Sequence, residues 1–133
     1  NSKNKFDIVI IDAPCSSIGT IRRNPEIFYR NSSPDFQYIT SIQYKFLNKA
    51  KDLVKNNGII IYMVCSFFNN EGNDQIERFL NENKNFSLVK FFSKNRDINE
   101  LINEKGFFKT YPINFRNKFL IDGFFAAQLQ KNV

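Results

Sequence analysis

The chain has 133 residues, 19 Lys and Arg against 13 Asp and Glu for a net charge of +6, two cysteines and no histidine. Its length suits a single domain, and 42% hydrophobic content with 16 Phe residues supplies enough apolar surface to fold. Without histidine there is no Ser-His-Asp or Cys-His pair, no His-ligated zinc and no imidazole acid or base, and two cysteines close neither a four-cysteine zinc site nor a disulfide scaffold. Chemistry must run on thiol, carboxylate, hydroxyl, amine or a borrowed cofactor, with no metal.

Phe6 to Ile11 is a largely β-branched run ending at Asp12-Ala13-Pro14. It is too short for a signal-peptide core or for the ~18–20 residues that span a bilayer, so no membrane partner is expected. The expected setting is reducing and cytoplasmic, or nuclear or nucleolar in a eukaryote. The run's lack of alternation predicts a strand buried on both faces, as parallel sheets require. A second such run, Ile59 to Val64, follows Asn56-Asn57-Gly58 and ends at Cys65-Ser66.

Between the two runs the spacing predicts a helix, capped by Ser33 with Pro34 in its first turn and stopped by Gly58. Ile39, Ile42, Phe46, Ala50, Leu53 and Val54 form its apolar stripe. Strand, helix and strand make a right-handed βαβ unit. Downstream the pattern predicts a helix from about Glu71 to Asn83, with Glu71 and Asp74 as acids near its start. A strand over Phe86–Phe92, a short helix or turn over Asp97–Glu104, an extended piece at Lys109–Tyr111 and a final strand over Gly123–Leu129 follow. The stretch from Ser93 to Ile121 is the least patterned.

In open α/β sheets ligands bind at the carboxyl ends of the strands. Asp12 ends the first run with Cys15 three residues on, and Cys65 ends the second. Adjacent strands lie ~4.8 Å apart, so both thiols and the carboxylate can converge on one small ligand. The competing structural readings are cysteines as small buried hydrophobes and Asp12 as a turn cap. Arg22 and Arg23, with Arg30 beyond, could clamp a phosphate or form a solvated surface. Phe67 and Phe68 could stack on a flipped base or pack the core.

Asp12-Ala13-Pro14-Cys15-Ser16, then Gly19 and Ile21-Arg22-Arg23-Asn24-Pro25-Glu26-Ile27, resembles the first cysteine block of the Nol/Nop/Sun (RsmB-type) family of RNA cytosine-5 methyltransferases. Val64-Cys65-Ser66 with Glu71 and Asn73 resembles that family's second cysteine block, and Asp122 to Leu129 with Lys131 its closing strand. Three departures stand out: Ser17 where the family often has Gly, Met63-Val64 for Ser-Thr, and Gly72 between Glu71 and Asn73.

The resemblance implies transfer of a methyl group from S-adenosylmethionine to carbon 5 of a cytosine in RNA, expected to be ribosomal. Cys65 would be the catalytic nucleophile, Cys15 the residue that releases product, Asp12 the cofactor contact, and Arg22 and Arg23 RNA contacts. It implies the carboxyl-terminal half of a Rossmann-like class I methyltransferase fold, α/β, with a mostly parallel sheet and a carboxyl-terminal antiparallel strand. The sheet order would be four, five, seven, six, with strand four exposing an edge. The five glycines form no G-x-G loop. The chain is therefore expected to be one partial catalytic domain, 1–133, whose further partner is the upstream half. The alternatives are a non-catalytic RNA-binding or scaffold fragment, and an amino methyltransferase, against which Cys15 and Cys65 argue.

Overall fold

The computed structural model describes residues 5–133. In chain order the elements are β1 (Phe6–Asp12), α1 (Phe36–Leu53), β2 (Val54–Val64), α2 (Asn73–Glu82), β3 (Phe86–Val89), α3 (Arg96–Asn99), β4 (Phe108–Thr110), β5 (Asn114–Phe115), β6 (Phe119–Leu120) and β7 (Phe124–Lys131). Short 3-10 turns at Ile18–Thr20, Pro25–Tyr29 and Asn69–Glu71 lie between them. The main sheet runs β1-β2-β7-β3, with β4 also on β7. β1 and β2 are parallel, with Ile8 opposite Ile59 and Asp12 opposite Met63. β7 runs against β2, β3 and β4, so one antiparallel strand closes an otherwise parallel set. That is the expected four, five, seven, six order.

α1 and α2 pack on each other and on the sheet. Their apolar stripes meet the sheet face that carries Ile60, Tyr62 and Val64, all fully buried, together with Leu47, Phe79 and Phe125. Burial of each Leu, Ile or Phe of this set contributes about 1.5–3 kcal/mol.

Four expectations need correction. β1 is not buried on both faces: Phe6, Ile8 and Ile10 are 52%, 57% and 61% exposed, whereas Ile11 is buried. Among the described residues β1 pairs only with β2, and no helix covers its outer face. The cap of α1 is Asp35 rather than Ser33, its carboxylate accepting from the Tyr38 amide at 2.9 Å. α1 stops at Leu53, and Val54 already pairs with Phe6 before β2 bulges through Lys55–Gly58. Gly58 serves the bulge: a Cβ there would lie 2.9 Å from the Asp7 carbonyl oxygen, and Asn57 next to it takes φ 61. Finally, Glu71 belongs to a 3-10 turn ahead of α2 and is fully buried.

Ser17 also has a positive φ, 60°, and starts the turn that follows Cys15. A left-handed conformation favours glycine, which gives the family's Gly at this place a physical reason. Ser17→Gly should therefore raise stability by about 0.5–1 kcal/mol, measured as a shift in urea midpoint. A midpoint unchanged or lowered would count against strain at this turn.

Candidate active site

Two neighbouring strand ends build the site. Asp12 sits opposite Met63, and the Ala13 amide donates to the Met63 carbonyl at 3.0 Å, carrying the parallel pairing past the end of β1. The chain then turns through Cys15 and comes back, so that the Gly19 amide donates to the Cys65 carbonyl at 3.0 Å. Cys15 and Cys65 are free thiols, both half-buried. Asp12 is exposed at the lip. Among the described residues no group of three Cys, Asp or Glu is placed to hold a metal ion.

β7 enters this corner through Asp122-Gly123. The Gly123 amide donates to the Gly19 carbonyl at 2.7 Å. Arg23 Nε donates to Asp122 Oδ2 at 2.6 Å, and Arg22 Nη2 lies 3.2 Å from Oδ1 as an ion-pair contact without hydrogen-bond alignment. The arginines read as RNA contacts are thus tied to a carboxylate that sequence reasoning did not single out. Arg30 Nη1 donates to the Ser16 carbonyl at 3.0 Å. Its place beside the first cysteine turn follows from that bond.

Burial pushes the Cys65 thiol up from its ordinary value, and Cys15, Asp12 and Asp122 push it the same way through their charge. Arg23 alone among the named groups opposes them. At neutral pH the thiol is mostly protonated without substrate. A raised pKa means reactivity that grows only as pH rises into the alkaline range. Alkylation of Cys65 should be slow at pH 7, faster with pH, and faster at each pH in Asp12→Asn. Equal rates in wild type and Asp12→Asn would contradict this electrostatic picture.

The two phenylalanines after Cys65 divide their roles. Phe67 packs so closely on Gly123 that a Cβ there would lie 2.6 Å from its ring, and it also meets Phe68 and Tyr111. Phe68 is more exposed and leans edge-on against Phe36. A cleft of about 210 Å³ beside the Cys15 turn is walled by Phe28, Phe36, Phe68 and Ile27. A second, of about 270 Å³, opens along β1 and α1 between Ile10, Asp12, Phe46 and Lys49.

Glu71 lies beneath both turns, and sequence reasoning missed its role. Its carboxylate accepts from the Ser16 amide at 2.7 Å, the Ser16 hydroxyl at 2.6 Å and the Ser66 hydroxyl at 2.5 Å. Gln43 of α1 adds a bond at 3.2 Å. The available signal was that each cysteine is followed directly by a serine.

The chain resembles known proteins over most of its length. The ribosomal RNA small subunit methyltransferase B of Pasteurella multocida is 37% identical over 84 residues, covering 63% of this chain and 19% of that protein. The probable ribosomal RNA small subunit methyltransferase B of Bacillus subtilis is 34% identical over 82 residues, covering 62% and 18%. The chain thus spans about a fifth of the length of these relatives. Among solved structures, PH0851 superposes with a TM-score of 0.78 at 33% identity, over 94% of this chain and 26% of that one. NSun6 from Pyrococcus horikoshii, solved with SFG, gives 0.69 at 22% identity over 96% and 30%, a likeness of fold. Residues 1–130 match the family profile described as 16S rRNA methyltransferase RsmB/F, and the chain belongs to that family.

Proposed function

We propose that this chain is the cysteine-bearing, carboxyl-terminal part of an S-adenosylmethionine-dependent RNA cytosine-5 methyltransferase acting on ribosomal RNA. The observation that carries the reading is the convergence of Cys15 and Cys65 on adjacent strand ends, joined by the Gly19 to Cys65 hydrogen bond. Family membership and relatives named for ribosomal RNA methylation support the substrate class.

Carbon 5 of cytosine is a weak nucleophile. The Cys65 thiol gives its proton to solvent and the thiolate adds to carbon 6, forming an S–C bond while the carbon 5–carbon 6 π pair moves onto carbon 5. S-adenosylmethionine, when bound, would supply the methyl group to carbon 5, its S–CH3 bond breaking to leave neutral S-adenosylhomocysteine. Transfer of the carbon 5 proton to a solvent base on the Cys15 side then restores the double bond and expels the Cys65 sulfur as thiolate. Asp12 is an exposed strand-end carboxylate lining a mostly apolar cavity that also carries Lys49, and such an anion suits a sulfonium cation. Arg22 and Arg23, held by Asp122, would present their free nitrogens to the RNA backbone.

Methyl transfer by the full-length polypeptide to ribosomal RNA, followed by nucleoside analysis, tests this reading. It expects 5-methylcytidine; a methylated adenosine or no product would overturn it. Among the described residues β1 pairs along one edge only and leaves Ile8 and Ile10 exposed on its face, which further supports an upstream half that adds strands there and brings the Gly-rich loop. Calorimetry on 1–133 alone should accordingly find weak or no binding of S-adenosylmethionine, and tight stoichiometric binding would refute that division.

A further inference from the structure

Among the described residues Glu71 is the one buried carboxylate, and its hydrogen-bond partners are all neutral. Burying a charge is costly unless hydrogen bonds compensate it, and here four donors converge on two oxygens. Two come from Ser16 and one from Ser66, the residues that directly follow Cys15 and Cys65. The Ser16 amide belongs to the peptide unit that leaves Cys15, so its bond to Oε1 fixes that peptide plane. The Ser66 hydroxyl also accepts from the Phe68 amide at 3.2 Å, which ties down the turn after Cys65.

The carboxylate is itself held from below. Tyr62 of β2 donates its hydroxyl to the Glu71 carbonyl at 2.7 Å. Gln43 donates to both the carboxylate and the Pro14 carbonyl at 3.0 Å, and Gln75 of α2 donates to the Gln43 amide oxygen at 3.2 Å. α1 and both cysteine turns thus meet at the Glu71 carboxylate, while β2 holds its backbone carbonyl through Tyr62 and α2 braces it through Gln43. A packed polar network of this kind has a single low-energy arrangement, because each unmade bond leaves a buried donor unpaired.

We infer that Glu71 is a positioning residue that sets the separation of the two thiols through a serine arm to each. The inference rests on the covalent reading proposed above and adds to it a division of labour. The Ser66 arm governs addition by Cys65, whereas the Ser16 arm governs release on the Cys15 side. The role is geometric, so glutamine can serve in part: its oxygen keeps the Ser16 amide and its amide group donates to hydroxyls that turn to accept.

The test uses the full-length enzyme with ribosomal RNA, steady-state kinetics and denaturing gels that reveal covalent protein–RNA adduct. Misplacement of a reacting group by about 1 Å can cost 10²-fold. Ser66→Ala should lower kcat roughly 10- to 100-fold with KM for RNA within about threefold and no adduct. Ser16→Ala should accumulate adduct severalfold above wild type. Glu71→Gln should recover most of the activity that Glu71→Ala loses.

Serine variants that lose activity only in proportion to their folded fraction, with adduct at the wild-type level, would overturn the inference. So would both serine variants shifting adduct in the same direction. Cys15→Ala in the same series separates the two levels. Adduct in Cys15→Ala but not in Ser16→Ala sinks the positioning role alone, and no adduct in either Cys15→Ala or Cys65→Ala sinks the covalent reading beneath it.

Discussion

Cys65→Ala should abolish methyl transfer in the full-length protein, by on the order of 10⁴-fold or more, while Cys15→Ala should trap the RNA as a covalent adduct. The asymmetry follows from the roles proposed for the two cysteines, Cys65 as nucleophile and Cys15 on the release side. Cys65 stands at the end of β2, between the buried Val64 and the anchored Ser66, with its carbonyl fixed by Gly19. Cys15 lies in the turn that crosses over it. Removing Cys15 also takes away one of the influences that raise the Cys65 pKa, so addition should proceed while release fails. Denaturing electrophoresis with labelled RNA reads both outcomes. Normal release in Cys15→Ala together with adduct in Cys65→Ala would reverse the assignment.

Gly19→Ala should be the most destructive single methyl added to this corner. Its Cβ would lie 1.9 Å from the Gly123 carbonyl oxygen and 2.9 Å from the Cys65 carbonyl oxygen. Both obstacles are backbone, so no rotamer change relieves them. One of two hydrogen bonds must break: Gly19 to Cys65, or Gly123 to Gly19. The expected cost is about 3 kcal/mol or more, read as a fall in urea midpoint. Activity per folded molecule should fall as well, because the same bonds bring the two cysteine turns together. A midpoint within about 0.5 kcal/mol of wild type would mean that the corner yields more easily than its packing implies.

The parts of this architecture that were legible in the sequence are those encoded by local pattern. Largely β-branched runs ending in short polar motifs gave β1 and the second half of β2, and three- and four-residue spacing gave the place of α1. Gln43, Tyr44, Leu47 and Ala50 nevertheless carry the buried face of α1, whereas Phe46 is 47% exposed and Val54 belongs to β2. The place of β7 came from the resemblance to the family rather than from local pattern. Glu71 was legible only as an acid near a helix start, since the bond from Ser16 spans 55 residues and leaves no periodic trace. The partnership of Asp122 with Arg22 and Arg23 was hidden in the same way by its sequence distance.

The hairpin of β5 and β6 was missed for a different reason. Its three-residue turn, Arg116 to Lys118, places Arg116 and Asn117 at φ 53 and 55, left-handed conformations of a tight hairpin. Tight hairpins usually announce themselves with Asn-Gly or Asp-Gly, and arginine at a left-handed position sends no such signal. β1 was misread as fully buried because its composition suits a sheet in which both faces are covered, whereas among the described residues only one face is.

The most direct measurement of the central claim is the site of attachment to RNA carrying 5-fluorocytidine. Fluorine at carbon 5 blocks the proton loss that completes the reaction, so the sulfur to carbon 6 bond persists. Peptide mapping of the trapped full-length protein by mass spectrometry should place the base on the peptide containing Cys65. A base on the Cys15 peptide, or RNA methylation with no trapped peptide, would contradict it.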